Sequence, residues 1–278
     1  MSDYADWIGK QRRVSEALDR ELLERYRATL SGMLWQTDVP AGVHWCLAPD
    51  VVEPAELGRD GHPRTGIFLP ALPLPRRMWA GGHLEYRKAF SPGDEVTRVT
   101  TIRDVTFKQG RSGPLGFVTL DHVYEVAGEA HVVERHDIVY REDPKPGTAT
   151  MPQRGPQPGE DWQALARWQV TPTPTLLFRY SALTFNGHRI HYDQPYATGV
   201  EGYDGLVVHG PLQSIWMQNL AASLLGKLPG AFTYRGLSPL TCNRPVSVEA
   251  REGEDGALEL RVRRDEDGVV TMQATAKA

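Results

Sequence analysis

The sequence predicts an α+β fold built as two halves of similar size. Three observations carry this expectation. A Pro- and Gly-rich segment, residues 142–160, divides the 278 residues near the middle. Each half closes on a run of segments rich in Val, Thr, Tyr and Ile, punctuated by Gly, Asp and Pro turns. Each half also places helical material ahead of those strands, the order expected of a sheet that wraps a helix.

The first half opens on a four-residue recurrence: Val14, Leu18, Leu22 and Tyr26, with Arg and Glu between them. This spacing predicts a helix, capped by Ser15 and stopped at Ser31-Gly32. Residues 40–82 are rich in Pro and Gly and poor in regular signals. Four strands are then expected at 83–90, 95–107, 116–126 and 131–140. Turns at Pro92-Gly93-Asp94, 110–113 and Ala127-Gly128 separate them. The dividing segment holds five prolines and three glycines in nineteen residues, with no aromatic residue. Proline fixes φ and lacks a donor, so this stretch reads as an extended linker between a unit at 1–141 and a unit at 161–278.

In the second half, 173–184 reads as a strand and 212–225 as a helix. Leu212, Ile215, Trp216, Leu220 and Leu224 form one face of that helix, and Met217, Ala221 and Leu225 extend the apolar surface around it. Such a helix is expected to be enclosed. Strands follow at 231–237, 246–251, 257–264 and 269–276, the last three joined by hairpin turns at 253–256 and 265–268.

Composition narrows the function classes. Hydrophobic residues make up 40% and charged residues 24%, an ordinary globular mixture. The net charge of -4 gives no bulk attraction for nucleic acid or an anionic membrane. Cys46 and Cys242 are far apart and fit no zinc spacing, so two reduced, buried thiols in a cytoplasmic protein are expected. The polar N-terminus does not read as a signal peptide. The uncharged stretch 207–226 contains His209, Gln213, Gln218 and Asn219. Those are too many polar groups for a lipid-facing span.

Two polar clusters carry the candidate chemistry. The first runs Ser181-Ala-Leu-Thr-Phe-Asn-Gly-His-Arg-Ile-His-Tyr-Asp193 and holds Asn186, His188 and His191 among apolar neighbours. Two histidines three apart could share a helical face as metal ligands, but no third ligand stands at a convincing spacing. The second runs Glu201-Gly-Tyr-Asp-Gly-Leu-Val-Val-His-Gly-Pro211. Gly followed by Pro is an ordinary helix entry. The backbone N–H groups of that same helix start could also receive developing negative charge on a thioester oxygen. There is no Gly-x-Ser-x-Gly, Walker loop or dinucleotide fingerprint.

These two clusters resemble the MaoC-like hot-dog dehydratases and hydratases. The resemblance is closest to the type-2 hydroxyacyl-thioester dehydratases and the itaconyl-CoA and mesaconyl-CoA hydratases. In the first half, Leu57-Gly-Arg-Asp-Gly-His-Pro63, Pro73-Leu-Pro-Arg-Arg-Met-Trp-Ala-Gly-Gly82 and Lys108-Gln-Gly-Arg-Ser-Gly-Pro114 resemble the N-terminal half of the same enzymes. The resemblance implies a double hot-dog fold, two antiparallel sheets each wrapping a helix. It implies a non-catalytic first half that helps to form an acyl-CoA cleft. The D-x-N-P-x-H pattern of R-specific enoyl-CoA hydratases falls on Asn186-Gly-His-Arg-Ile-His191. His191 matches the catalytic histidine, and Asn186 stands where an aspartate would be. An amide cannot take a proton at neutral pH, so Asn186 is expected to orient water and His191 to act as acid and base. Gly210 matches the oxyanion donor, and His209 beside it is expected to contact substrate.

The expected reaction is reversible addition of water to a short α,β-unsaturated acyl-CoA. A dicarboxylic mesaconyl- or itaconyl-type group would give citramalyl-CoA. Neither a metal nor an organic cofactor is required. A distal carboxylate needs a cation, and Arg179, Arg235 and Arg244 are candidates. Arg76, Arg77, Lys108 and Arg111 are candidates for the CoA phosphates. Alternatives on the same fold are an acyl-CoA thioesterase, a 3-hydroxyacyl-carrier-protein dehydratase and a non-catalytic acyl-thioester binder. The helix start Val208-His-Gly-Pro-Leu-Gln213 lacks the carboxylate that thioesterases commonly place there. The expected partner is the acyl-CoA substrate, with neither nucleic acid nor membrane, and a homo-oligomer stays open.

Overall fold

The computed structural model describes residues 4–110, 113–143 and 161–278. The expected linker, from residue 144 onward, lies outside them, as does Arg111. In the first half, strand β1 (Gln11–Ala17) precedes helix α1 (Arg20–Thr29). Strands β2 (Arg76–Tyr86), β3 (Glu95–Gly110), β4 (Gly113–Val126) and β5 (Glu129–Arg141) follow. In the second half, strand β6 (Ala166–Val170) leads to helices α2 (Pro174–Leu183), α3 (Gln194–Gly199) and α4 (Gly210–Leu225). Strands β7 (Ala231–Gly236), β8 (Val246–Glu252), β9 (Leu258–Arg264) and β10 (Val270–Lys277) complete it.

The ten strands of the described residues belong to one antiparallel sheet, ordered β1-β3-β4-β5-β2-β7-β10-β9-β8-β6. Outward from the centre the two halves repeat one topology, β2-β5-β4-β3-β1 on one side and β7-β10-β9-β8-β6 on the other. This is a double hot-dog arrangement. The two expected sheets are continuous, because β2 pairs with β7 from Gly81↔Arg235 to Glu85↔Ala231.

Helix α4 is the apolar helix expected from the sequence. Every residue from Pro211 to Ala222 is buried, and the left-handed Gly226 (φ 68°) ends it. It packs against β8, β9 and β10 and also touches β2, β6 and β7. The first half has no helix of that length among the described residues. Short α1 and the 3₁₀ turns Val43–Cys46 and Pro54–Glu56 occupy the chain there. One apolar cluster runs through both halves and includes Tyr26, Leu84, Tyr180 and Trp216. A smaller one, around Leu74, Ile102, Val118, Leu120, Ile138 and Tyr140, lies in the first half alone.

Two expected elements differ, and one strand was not expected. Residues 11–17 form an edge strand paired with β3, and the helix begins after it. Its N-cap is Asp19, whose carboxylate accepts the Leu22 N–H at 2.6 Å. Residues 174–183 are helix α2 instead of a strand; Thr173 caps it and Pro174 occupies its first turn. Strand β6, which pairs with β8, was not foreseen. Cys46 is buried, and Cys242 is only half-buried; neither forms a disulfide. No helix among the described residues is long and apolar enough to cross a membrane.

Candidate active site

The first polar cluster begins where α2 ends. Phe185 turns the chain through a left-handed conformation (φ 50°), and the Asn186 N–H bonds the Ser181 carbonyl at 2.8 Å. The Asn186 side-chain oxygen accepts the His188 backbone N–H at 2.9 Å, closing an Asx turn. A single 3₁₀ turn, Arg189–His191, then carries His191 inward.

His191 is buried at 6% exposure, and its Nδ1 lies 2.7 Å from the Val207 carbonyl oxygen. A carbonyl only accepts, so Nδ1 carries the hydrogen and the Nε2 lone pair is left available. Burial pulls the His191 pKa down to about 4, opposed in part by the Val207 hydrogen bond. The ring is therefore neutral at physiological pH. His209 stacks on it, ring centroids 3.5 Å apart and 18° from parallel. The His209 Nε2 pairs with the Ser181 hydroxyl at 2.8 Å, while its Nδ1 is buried without a partner among the described residues. Burial first, then neighbouring His191, holds the His209 pKa well below normal.

His209 is also the N-cap position of α4, and its side chain makes no capping bond. The opening N–H groups of α4 thus have no cap from that residue, at the positive end of a long helix. Gly210 is the first helical residue. A Cβ there would sit 3.1 Å from Trp79 of β2, so glycine lets the first half approach this helix end closely. Trp79 in turn lies on His136 of β5 at 3.7 Å and donates from Nε1 to the Tyr234 hydroxyl at 2.9 Å.

The first half braces the loop of the second. The Asp60 carbonyl accepts the Arg189 N–H at 2.8 Å, and the Arg59 carbonyl accepts from the Arg189 guanidinium at 3.1 Å. Gly61 meets Gly187 backbone to backbone, with no room for a Cβ on either. His62 packs on His188 at 4.5 Å. His191, His209, Asn186, Gly210, His62 and Trp79 all line one cavity of about 1060 Å³ that extends well into the first half.

The structure brings together Asn186, His191, His209 and Gly210. It does not bring in Arg179 or Arg235. Because 174–183 is helical, Leu177, Tyr180 and Ser181 face the interior and Arg179 is exposed. In β7, Phe232 and Tyr234 are buried and the alternate residue Arg235 is exposed, so it stands on the other face. Neither arginine lines the cavity. Arg244 pairs with Asp204 and Glu266 near the surface. Arg76 and Arg77 do line the cavity, but each has a carboxylate partner. Arg76 Nε meets Glu201 at 2.5 Å in a pair buried on both sides, and the Tyr196 hydroxyl donates to the other Glu201 oxygen. Arg77 holds Asp60 through Nε at 2.9 Å and Nη2 at 3.2 Å. Lys108 is exposed over the Phe117 ring, away from the cavity. His62 and Trp79 were not singled out as site residues from the sequence. Both sit inside the first-half motifs, which were the available signal.

Residues 42–242 match the family model described as hydroxyacyl-thioester dehydratase type 2. The mesaconyl-C(4)-CoA hydratase of Chloroflexus aurantiacus is 38% identical over 280 residues, covering 99% of this chain and 98% of that protein. The chain belongs to the type-2 hydroxyacyl-thioester dehydratase family. The family's mitochondrial member from Saccharomyces cerevisiae is 26% identical over 218 residues, covering 74% of this chain and 75% of its own. Among solved structures, HtdX of Mycobacterium tuberculosis superposes with a TM-score of 0.67 at 18% identity, covering 96% of this chain and all of that one. A further protein of Mycobacterium tuberculosis, described as a double hot-dog, gives 0.56 at 14% identity, covering 97% and 96%. These two support the fold. As a member of this MaoC-like family, the chain is a hydro-lyase.

Proposed function

We propose that the chain reversibly hydrates a short α,β-unsaturated acyl-CoA, with a dicarboxylic, mesaconyl- or itaconyl-type acyl group giving a hydroxyacyl-CoA such as citramalyl-CoA. One observation carries the proposal: a buried, neutral His191, its Nδ1–H tied to Val207, lines the same cavity as the start of α4 at Gly210. The hydratase relative from Chloroflexus supports the choice of acyl group.

The thioester oxygen sits at the Gly210 N–H. His191 Nε2 takes a proton from water as the water oxygen bonds the β-carbon, and the π electrons move onto the thioester oxygen as an enolate. The helix dipole and backbone donor stabilise that charge. The developing enolate raises the proton affinity of the nearby imidazole, offsetting the low pKa that burial imposes. His191 then returns its proton to the α-carbon as the enolate collapses. Dehydration is the same sequence reversed. Asn186, its oxygen occupied by the His188 N–H, offers its amide N–H groups to hold the water. His209 keeps the His191 ring in plane.

Incubation with crotonyl-, mesaconyl- and itaconyl-CoA tests the reading. Loss of enoyl absorbance is expected, greatest with a dicarboxylic substrate. Release of free thiol would identify a thioesterase instead, and binding without reaction would identify a non-catalytic binder.

A further inference from the structure

The first-half end of the cavity holds charged groups that the hydration chemistry does not use. Arg98 of β3 and Arg12 of β1 both reach one oxygen of Asp50, Arg98 through Nη2 at 2.5 Å. The Nε atoms of Arg12 and Arg98 are buried and have no hydrogen-bond partner among the described residues. All three residues line the cavity. Two guanidiniums thus share one carboxylate.

The nearby carboxyl of Glu134 does not balance them. Burial raises its pKa to about 7, so at neutral pH it carries only part of a charge. The Trp45 Nε1 donates to both of its oxygens, at 3.0 and 3.1 Å, which fixes it in place. His136 adds an unsatisfied group: it is 8% exposed, and its Nε2 has no partner among the described residues. This end of the cavity holds two guanidiniums that share one oxygen of Asp50, with buried Nε donors awaiting an acceptor.

It is joined to the reacting end by contacts already described. His191 stacks on His209, the next residue is Gly210, Trp79 covers Gly210, and His136 lies on Trp79. His122 of β4, whose ring is 5.8 Å from His136, pairs across to Thr100 of β3, two residues from Arg98. Both ends line one cavity, so an acyl group held by its thioester at Gly210 has a continuous route toward this end.

We propose that Arg98 and Arg12, with His136 beside them, form a carboxylate-binding subsite that selects acyl thioesters ending in a carboxylate. The inference rests on the acyl-thioester reading of the same cavity. It moves the counter-cation for a dicarboxylic substrate from Arg179 and Arg235, which are outside, to the wall of the first half. It also gives that half a task without any catalytic residue. An arginine at a buried site can bind a carboxylate through charge-assisted hydrogen bonds.

Equilibrium binding of unreactive saturated acyl-CoAs tests this without turnover. Two matched pairs isolate the carboxylate: methylsuccinyl-CoA against isovaleryl-CoA, and adipyl-CoA against hexanoyl-CoA. The wild type should prefer the carboxylated member of at least one pair. Arg98→Met should weaken that member roughly 10- to 100-fold and leave its uncharged partner within a few-fold, the usual worth of a charged hydrogen bond. Because Arg98 is largely buried, Asp50→Asn provides a second, milder variant at a half-exposed position. It removes the shared anion and should increase the preference for the carboxylated ligand. Equal losses on both members with Arg98→Met, or an unchanged preference with Asp50→Asn, would overturn the subsite. If none of the four acyl-CoAs bound the wild type, the acyl-thioester reading would fall and the subsite with it.

Discussion

Replacing Gly61 with alanine should damage catalysis although Gly61 touches no substrate. The residue has φ +86°, and a Cβ there would lie 2.0 Å from the Gly187 carbonyl oxygen. The left-handed backbone alone costs a Cβ-bearing residue about 1–2 kcal/mol. The clash is a separate effect. Ordinary contact begins near 3.4 Å, so the two loops must separate by roughly 1.4 Å. That movement loads the Asp60-to-Arg189 backbone bond and displaces the turn that carries His191. A shift of about 1 Å at a reacting group can cost ~10²-fold in rate. Gly66→Ala is the control: its φ is +93°, but its Cβ would meet only the Ala71 Cβ at 3.9 Å. The assay is turnover on the preferred enoyl-CoA, beside a thermal melt. Both variants should lose a few degrees of Tm. Only Gly61→Ala should lose about 10²-fold in kcat. Equal turnover in the two variants would refute the claim that the first half positions the catalytic loop.

Three further outcomes follow, one from the buried titratable groups and two from the Asn186 loop. His44 and His136 are pulled down to about 3, and His191 to about 4, mainly by burial, whereas Glu134 is pushed up to about 7. Between about pH 4.5 and 6 the unfolded chain holds protons on these three histidines that the folded chain lacks, and the folded chain holds one on Glu134. His62, His122, His188 and His209, also lowered mainly by burial, add to the histidine side, so stability should fall as the pH drops through this window, read from urea midpoints; a flat profile would contradict it. At the loop, Asn186→Asp keeps the acceptor for the His188 N–H, so it should fold normally, retain part of the activity and add an acidic limb to the pH–rate profile. Asn186→Ala should cost less than loss of His191, and a larger cost would reverse the assigned roles.

The fold was legible where local pattern and tertiary role agree. Helix α4 reads as enclosed because it is apolar on most sides, and β8 to β10 read correctly because hairpin turns bracket them. The misreadings have physical causes. Val14, Leu18, Leu22 and Tyr26 keep a helical spacing across a real break. Residues 11–17 are drawn into an edge strand by pairing with β3, which no local signal encodes. The segment 174–183 carries β-forming Thr, Phe and Tyr, yet Thr173 followed by Pro174 is a helix entry that outweighs them. At the site, Asn186 and His191 stand in one motif and Gly210 in a second, and both motifs carry the family resemblance. The charged wall could not: Arg12, Asp50, Arg98 and His136 meet only when β1, β3 and β5 come together. Arg179 and Arg235 fall outside the cavity for a related reason, since whether a side chain faces inward depends on the element it occupies.

The central claim is that His191 carries both proton transfers while the acyl-CoA is held elsewhere. Its most direct test is the kcat of His191→Ala for enoyl-CoA hydration, measured on folded protein well below its melting temperature. A loss of at least roughly 10²–10⁴-fold is expected, the usual contribution of a general acid–base, with a much smaller change in acyl-CoA affinity. Near-normal turnover accompanied only by a lowered Tm would contradict it and reduce His191 to a loop anchor for Val207.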